Sequence, residues 1–464
     1  MSNEIPNNVD LDHDQQLRRA LALWHPHYLD WWREVGPEGF DASKVYLRTA
    51  ISVSPEGWAN YGYVQMQDYR WGIFLAPEVP DRKIGFGDHY GEPVWQQVPG
   101  DQRKDLRRII VTQADTEPAS VEQNRLLGQT APSLYDLRNI FQLNCEEGRH
   151  LWAMVYLLHK YFGRDGREEA DELLHRRSGN PDHPRILNAF NAPVRNWLDY
   201  FCFSMFSDRD GKYQLAALAE SALDPLSRTT RFMLTEEAFH MFVGESGIQR
   251  IASRAADLML QSGREDLFEL GAIPLGILQK YINYWYTEAL DLFGGEDSSN
   301  AATYFAAGLK GRFQEDDEPE HLALDQVYEL RKPDGSVESI PLRRAMNAVL
   351  RDAYVEDCHR GLRRWNRELE HRKLDARLYL PAVCFNRKVG ALAGITSDPE
   401  GHILPAEEFA RRRAEWLPTE EDRLRVAAVM KPVYAPGKIA NWIAPPAKGI
   451  GGKPGLEFDY VQFN

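Results

Sequence analysis

With 464 residues, 43% of them hydrophobic, and 12 Trp, 20 Tyr and 20 Phe, the chain has the apolar material for a large ordered core, which excludes a disordered protein. A net charge of −14 with no long basic run argues against nucleic acid or an anionic membrane surface as the main partner. Cys145, Cys202, Cys358 and Cys384 are far apart and form no Cys-x-x-Cys unit, so buried free thiols are expected rather than a disulfide framework or a thiolate metal site.

In chain order, the polar, acidic opening MSNEIPNNVDLDHDQQ is unlike a secretory or transit signal, and no apolar run approaches about 18 residues, so a soluble cytoplasmic protein is expected. Up to about Gly100 a helical start mixes with aromatic alternating stretches, KVYLRTAISV and YGYVQMQDYRWGIF, which read as short strands or extended packing segments. From about Asp105 to Phe293 the apolar spacing is helical, broken by the polar run GRDGREEADELLHRRSGNPDHP between Gly163 and Pro184. Beyond it, VYELRKPDGSVESIPL places a Pro-Asp-Gly turn between two alternating segments and predicts a β-hairpin. A helix over about Arg343 to Lys373 follows. The closing stretch, KPVYAPGKIANWIAPPAKGIGGKPGLEFDYVQFN, is rich in Pro, Gly and Lys and reads as an extended arm that wraps or a flexible tail. The expected organisation is an N-terminal addition over 1–104, a helical bundle over 105–300 and a C-terminal addition over 301–464.

A Glu and a His three residues apart lie on one helix face, where they can present an oxygen and an imidazole nitrogen to one metal ion. With 13 histidines, about one such unit would arise by chance; the sequence has Glu147/His150, Glu172/His175, Glu237/His240, Glu318/His321, Glu356/His359 and Glu368/His371. The contexts of Glu172/His175, Glu318/His321 and Glu368/His371 look solvent-facing, and Glu356/His359 is intermediate. By contrast, Glu147/His150 shares its stripe with Ile140, Leu143, Met154 and Leu157, and Glu237/His240 with Leu226, Met233 and Ile248. Burying bare carboxylates costs several kcal/mol each unless the charge is compensated, and a metal would compensate it.

A dinuclear site in a helical bundle adds one carboxylate from each of two further helices. Glu117 lies 30 residues before Glu147 and Asp208 lies 29 before Glu237, the separations that two long antiparallel helices joined by a short loop require. Pro118 disturbs a regular helix, so either a kink lies at Glu117 or Glu122 takes its place; Asp210 is the rival of Asp208. Four carboxylates and two ferrous ions sum to zero charge, and ligation dominated by oxygen with one His per metal suits iron before manganese or structural zinc.

These residues, CEEGRH and TEEAFH with single carboxylates upstream, resemble the carboxylate-bridged diiron proteins of the ferritin-like superfamily. The fold implied is mainly α, a ferritin-like four-helix bundle enlarged by N- and C-terminal additions. In that group an acidic residue before the ligand glutamate hydrogen-bonds a histidine ligand; Glu146 and Glu236 hold those positions, Arg149 matches the frequent Arg before His, and Phe239 departs from it. More closely, the whole chain, including LRTAISVSPEGWANYGYVQMQDYRWGIFLAPEVP and the Lys-rich arm, resembles the oxygenase components of benzoyl-CoA 2,3-epoxidases. That resemblance implies two Fe ions held by Glu117, Glu147, His150, Asp208, Glu237 and His240, with O2 used to epoxidise benzoyl-CoA in aerobic benzoate degradation. The resemblance also implies that electrons come from a separate NADPH-dependent reductase with FAD and iron-sulfur centres; this chain itself has neither a Rossmann glycine fingerprint nor a Cys cluster, which points to an electron-supplying partner. Glu147, Glu237 and Gln113 are the expected catalytic residues, Gln113 lining the substrate pocket one turn before Glu117. Candidate sites for the CoA phosphates are RKDLRR from Arg103, RGLRRW from Arg360, and Lys431, Lys438, Lys448 and Lys453. Alternatives on the same bundle are another diiron oxidase or desaturase, a radical generator with Tyr156 or Tyr200 near the metals, and an iron-binding protein.

Overall fold

Side-chain caps set the starts of the principal helices. Asp14 accepts from Leu17 N at 3.0 Å to open α1 (Gln15–Val35), Ser133 caps α4 (Leu134–His175) through Asp136 N, and Asn196 accepts from two amides at the head of α5 (Trp197–Ala219). Pro225 occupies the first turn of α6 (Asp224–Ser262), and Gly263 closes it in the left-handed conformation. Between α1 and α4 lie α2 (Arg103–Ala114) and α3 (Thr116–Gln123). After α6 come α7 (Leu275–Leu292), α8 (Ser299–Ala306), the strands β1 (Val327–Arg331) and β2 (Val337–Pro341), α9 (Met346–His371), α10 (Ala406–Trp416) and α11 (Glu420–Val429). Short strands β3 (Lys438–Ala440) and β4 (Asp459–Val461) pair in parallel. This structure, a computed structural model, describes residues 5–37, 70–315, 326–447 and 458–463. KVYLRTAISV, most of YGYVQMQDYRWGIF, Glu318/His321, Lys448 and Lys453 lie outside the described residues.

The chain is mainly helical. Helices α5 and α6 form the most closely packed pair, α2 and α3 lie against α4, α7 packs on α5, and α9 on α6. At the α5/α6 crossing, a Cβ on Gly244 would sit 2.2 Å from Met205 N, so only glycine permits this approach. The hairpin appears as predicted, with Leu330 opposite Glu338, and all four cysteines are free and buried. The polar run from Gly163 differs from its reading as a break. Gly163 (φ 61) turns the chain, but helix continues through His175, burying Gly166, Ala170, Leu173 and Leu174 along one stripe while its charges face water. The non-helical part of the crossover is fastened by buried Arg185, 3.1 Å from Asp115 and 3.0 Å from Glu122. The closing stretch wraps the bundle as far as it is described: Val433 N and Ala440 N donate to Ala131 and Pro132 carbonyls, and Trp442 and Ile443 are buried. No described helix is long and apolar enough to cross a membrane.

Two apolar clusters share the long helices. On α4 one ends at Leu143 and the other begins at Leu151; on α6 one includes Met233 and the other begins at Val243. Between them runs a buried layer of charged side chains, Glu146, Glu147, Arg149 and His150 of α4 and Glu236, Glu237 and His240 of α6.

Candidate metal centre

Glu117, Glu147, His150, Asp208, Glu237 and His240 project into that layer from α3, α4, α5 and α6, each buried. The chain breaks between α2 and α3 at Asp115, whose carboxylate is held by Arg185 and Ile186 N. Pro118 then falls in the first turn of α3, where no preceding carbonyl needs its missing N–H. This restart turns Glu117 inward.

His150 Nδ1 lies 3.3 Å from Glu117 Oε2, 3.5 Å from Glu147 Oε2 and 3.7 Å from Glu237 Oε1. His240 Nδ1 lies 3.4 Å from Glu237 Oε2 and 3.6 Å from Glu147 Oε1. Two donors each about 2.1 Å from one ion and at right angles lie about 3 Å apart, so the two groups have ligand-like spacing. Glu147 and Glu237 each turn one oxygen towards His150 and the other towards His240. Glu117 completes the His150 side; among the described residues Asp208 falls in neither close group and meets His240 and Glu237 only through its charge. Neither His150 Nδ1, His240 Nδ1 nor Asp208 Oδ2 has a hydrogen-bond partner although all are buried, and such orphaned atoms fit a bound cation.

The electrostatics carry the same imprint. Burial, reinforced by neighbouring carboxylates, drives Glu147 and Asp208 well above the usual carboxylate range. Burial opposes protonation of His150, but Glu117, Glu147 and Glu236 together raise it; for His240, Glu237 and Glu146 overcome the same penalty. Without a cation, this charge set must borrow protons.

The outer hydrogen bonds cross between helices. Glu236 of α6 takes His150 Nε2 at 3.0 Å, while Glu146 of α4 takes His240 Nε2 at 3.1 Å, fixing each ring with Nδ1 inward. Arg149 braces Glu236. At the equivalent place in α6 stands Phe239; there Gln142 braces Glu146 at 2.8 Å, and Arg138 lies 5.6 Å over the Phe239 ring.

The rivals have other partners. Glu122 accepts from Ser178 N and Arg185, and Asp210 accepts from Gln214 at 3.0 Å. Glu172, His175, Glu356, His359 and His371 are exposed; Glu368 holds Arg372 and Gln249. Tyr200 is buried two turns before Asp208, and Tyr156 accepts from Lys160.

A cavity of about 310 Å³ adjoins the layer, with Ile109, Phe190, Leu218, Phe293 and Leu350 among its apolar walls. Gln113 and Thr116 line it, and both donate to Glu117 Oε1, at 3.1 and 3.2 Å. Opposite them, Ser207, Asp210 and Gly211 flank Asp208. Thr116 was not singled out in the sequence; its position next to Glu117 was its only signal. Among the basic clusters, Arg107 pairs with Asp165, Arg360 with Asp357, Arg364 with Glu245 and Lys438 with Asp459, and Lys431 lies over Phe463. Arg108 lines the cavity.

No family model matches the chain. It is 54% identical over 470 residues to benzoyl-CoA oxygenase component B of Aromatoleum evansii, an alignment covering 100% of this chain and 99% of that protein. Identity of this extent along both full lengths means that the chain belongs to the benzoyl-CoA oxygenase component B family.

Proposed function

We propose that this chain is the oxygenase component of a benzoyl-CoA 2,3-epoxidase, binding two irons through Glu117, Glu147, His150, Asp208, Glu237 and His240. The overall reaction consumes benzoyl-CoA, O2, NADPH and a proton and yields the 2,3-epoxide, water and NADP+. Electrons arrive in the cytoplasm from a separate reductase carrying flavin and iron-sulfur centres, during aerobic benzoate degradation. The observation that carries the reading is the double presentation by Glu147 and Glu237, each offering one oxygen to each histidine side beside a cavity of about 310 Å³. Family membership supports the substrate class.

When bound, the iron pair supplies the paired electron transfers that reduce O2. The chain's own residues build the surroundings. The apolar walls take the aromatic ring and exclude water, Gln113 and Thr116 hold one oxygen of Glu117, and Glu146 and Glu236 hold the imidazoles so that Nδ1 faces inward. Four carboxylates with two divalent ions leave no net charge to bury.

Anaerobic ferrous loading is expected to give two irons per chain. Benzoyl-CoA should then be consumed with O2 only when reductase and NADPH are present. One zinc per chain, turnover of free benzoate in place of the thioester, or a stable tyrosyl radical as the sole product of oxygen exposure would overturn the reading.

A further inference from the structure

One cationic group faces the cavity from a segment that carries no periodic signal. Lys310 lies just past α8, where Gly311 N donates to Ala217 O at 3.0 Å and Ala222 N to Gly308 O at 2.7 Å, so its backbone is bolted to the end of α5. Its side chain lines the cavity and is half-buried. Among the described residues the ammonium donates to Gln214 Oε1. Gln214 Nε2 in turn donates to Asp210 Oδ1 at 3.0 Å, so the carboxylate that attracts Lys310 is reached through an intervening amide. The lysine therefore keeps N–H donors for whatever fills the cavity. Burial lowers it to about 8, which leaves it cationic at neutral pH.

The placement along α5 is informative. Ser207, Gly211, Gln214 and Leu218 form one cavity-facing stripe, and six residues separate Asp208 from Gln214, a rise of about 9 Å. The floor of the cavity touches Glu117 through Gln113 and Thr116. An aryl ring seated on that floor, its edge towards the carboxylates, directs its acyl substituent up the stripe towards Lys310. For a substrate seated that way, the pyrophosphate of CoA would fall a whole pantetheine arm further along, outside the reach of this side chain.

We propose that the Lys310 ammonium donates a hydrogen bond to the thioester carbonyl oxygen of the aroyl-CoA substrate and so fixes which ring edge meets the site. This rests on the aroyl-CoA reading above and adds a positioning residue to it. A buried charge-assisted hydrogen bond of this kind changes affinity by about tenfold to a hundredfold.

The test uses the iron-loaded full chain without oxygen or reductant, so that nothing turns over. Calorimetry compares benzoyl-CoA with S-benzyl-CoA, in which a methylene replaces the carbonyl, on the unmodified protein, Lys310→Met and Lys310→Arg. Infrared difference spectra of carbonyl-labelled benzoyl-CoA read the same contact without any substitution. The expected result is a tenfold to hundredfold preference for benzoyl-CoA and a lowered carbonyl frequency in the unmodified protein. Both should be lost in Lys310→Met and kept in Lys310→Arg. Equal weakening of both ligands by Lys310→Met would assign the lysine to CoA phosphate or to the scaffold and overturn the proposal, as would a carbonyl band unchanged from free thioester. Failure of the unmodified protein to bind benzoyl-CoA more tightly than CoA would instead sink the functional reading itself, and the Lys310 assignment with it.

Discussion

The distances divide the carboxylates into two kinds, and substitution should separate them. Glu147 faces both histidines, at 3.5 and 3.6 Å, whereas Glu117 faces His150 alone, at 3.3 Å. Gln at either position keeps the side-chain volume and removes the charge. Removing one partner of a buried charge contact costs on the order of 3–5 kcal/mol, or on the order of a hundredfold to a thousandfold or more in ion affinity. On the proposed two-iron reading the loss for Glu147→Gln falls on both ions, so iron retained after anaerobic loading and desalting should drop from two per chain towards none. For Glu117→Gln it falls on the His150 side, and about one iron should remain. The assay is colorimetric iron stoichiometry, with circular dichroism showing that both variants keep their helices. If Glu147→Gln holds two irons, or Glu117→Gln loses both as completely as Glu147→Gln does, the proposed sharing of Glu147 between the two histidine sides is wrong.

Two further predictions concern the scaffold. A Cβ on Gly244 would meet Met205 N at 2.2 Å, so Gly244→Ala must push α5 from α6 and should cost on the order of 3 kcal/mol; Gly276→Ala, with nothing within 4 Å, is the helix control and should be neutral or stabilising in the same thermal melt. His159 is buried beside Trp24 with both ring nitrogens unpaired, and burial, with help from Arg167, lowers it from 6.5 to about 4. The unfolded chain therefore binds the proton more readily, and stability falls as pH drops from 6.5 towards 4. His159→Phe should remove that loss, gaining about 2 kcal/mol over the parent at pH 5 relative to pH 7.5 in urea unfolding; an identical pH dependence in the two proteins would refute it.

The parts of the fold legible in the sequence were those where periodicity and turn chemistry act locally. The Pro-Asp-Gly turn specified its hairpin because the pairing it sets is local, Arg331 opposite Val337 across the turn. The buried stripes around Glu147 and Glu237 were readable for a related reason: charges at core spacing are too costly to lack a purpose. The run from Gly163 was misread because its composition is polar overall, whereas helix formation needs only the narrow stripe of Gly166, Ala170, Leu173 and Leu174. Spacing favoured Glu117 over Glu122, but it could not show that Arg185, some 60 to 70 residues later, claims Asp115 and Glu122 together.

What sequence could not supply was the crossing of the outer hydrogen bonds. Glu146 and Glu236 each neighbour their own helix's Glu–His pair, yet each holds the histidine of the opposite helix. The consequence is mechanical: each imidazole is held by a carboxylate of the other helix, so a shift of α4 against α6 strains both hydrogen bonds. The placement of α6 is in turn set against α5, whose Met205 backbone leaves no room at Gly244. The Gly244→Ala variant thus reaches beyond stability. By displacing α6 it should misalign both crossed pairs, Glu236 against His150 and His240 against Glu146, and weaken ion binding, although the substituted residue touches no carboxylate of the layer. Iron stoichiometry of Gly244→Ala at a temperature where it remains folded decides the point, and full retention of both irons would show that the helices hold their ligands independently.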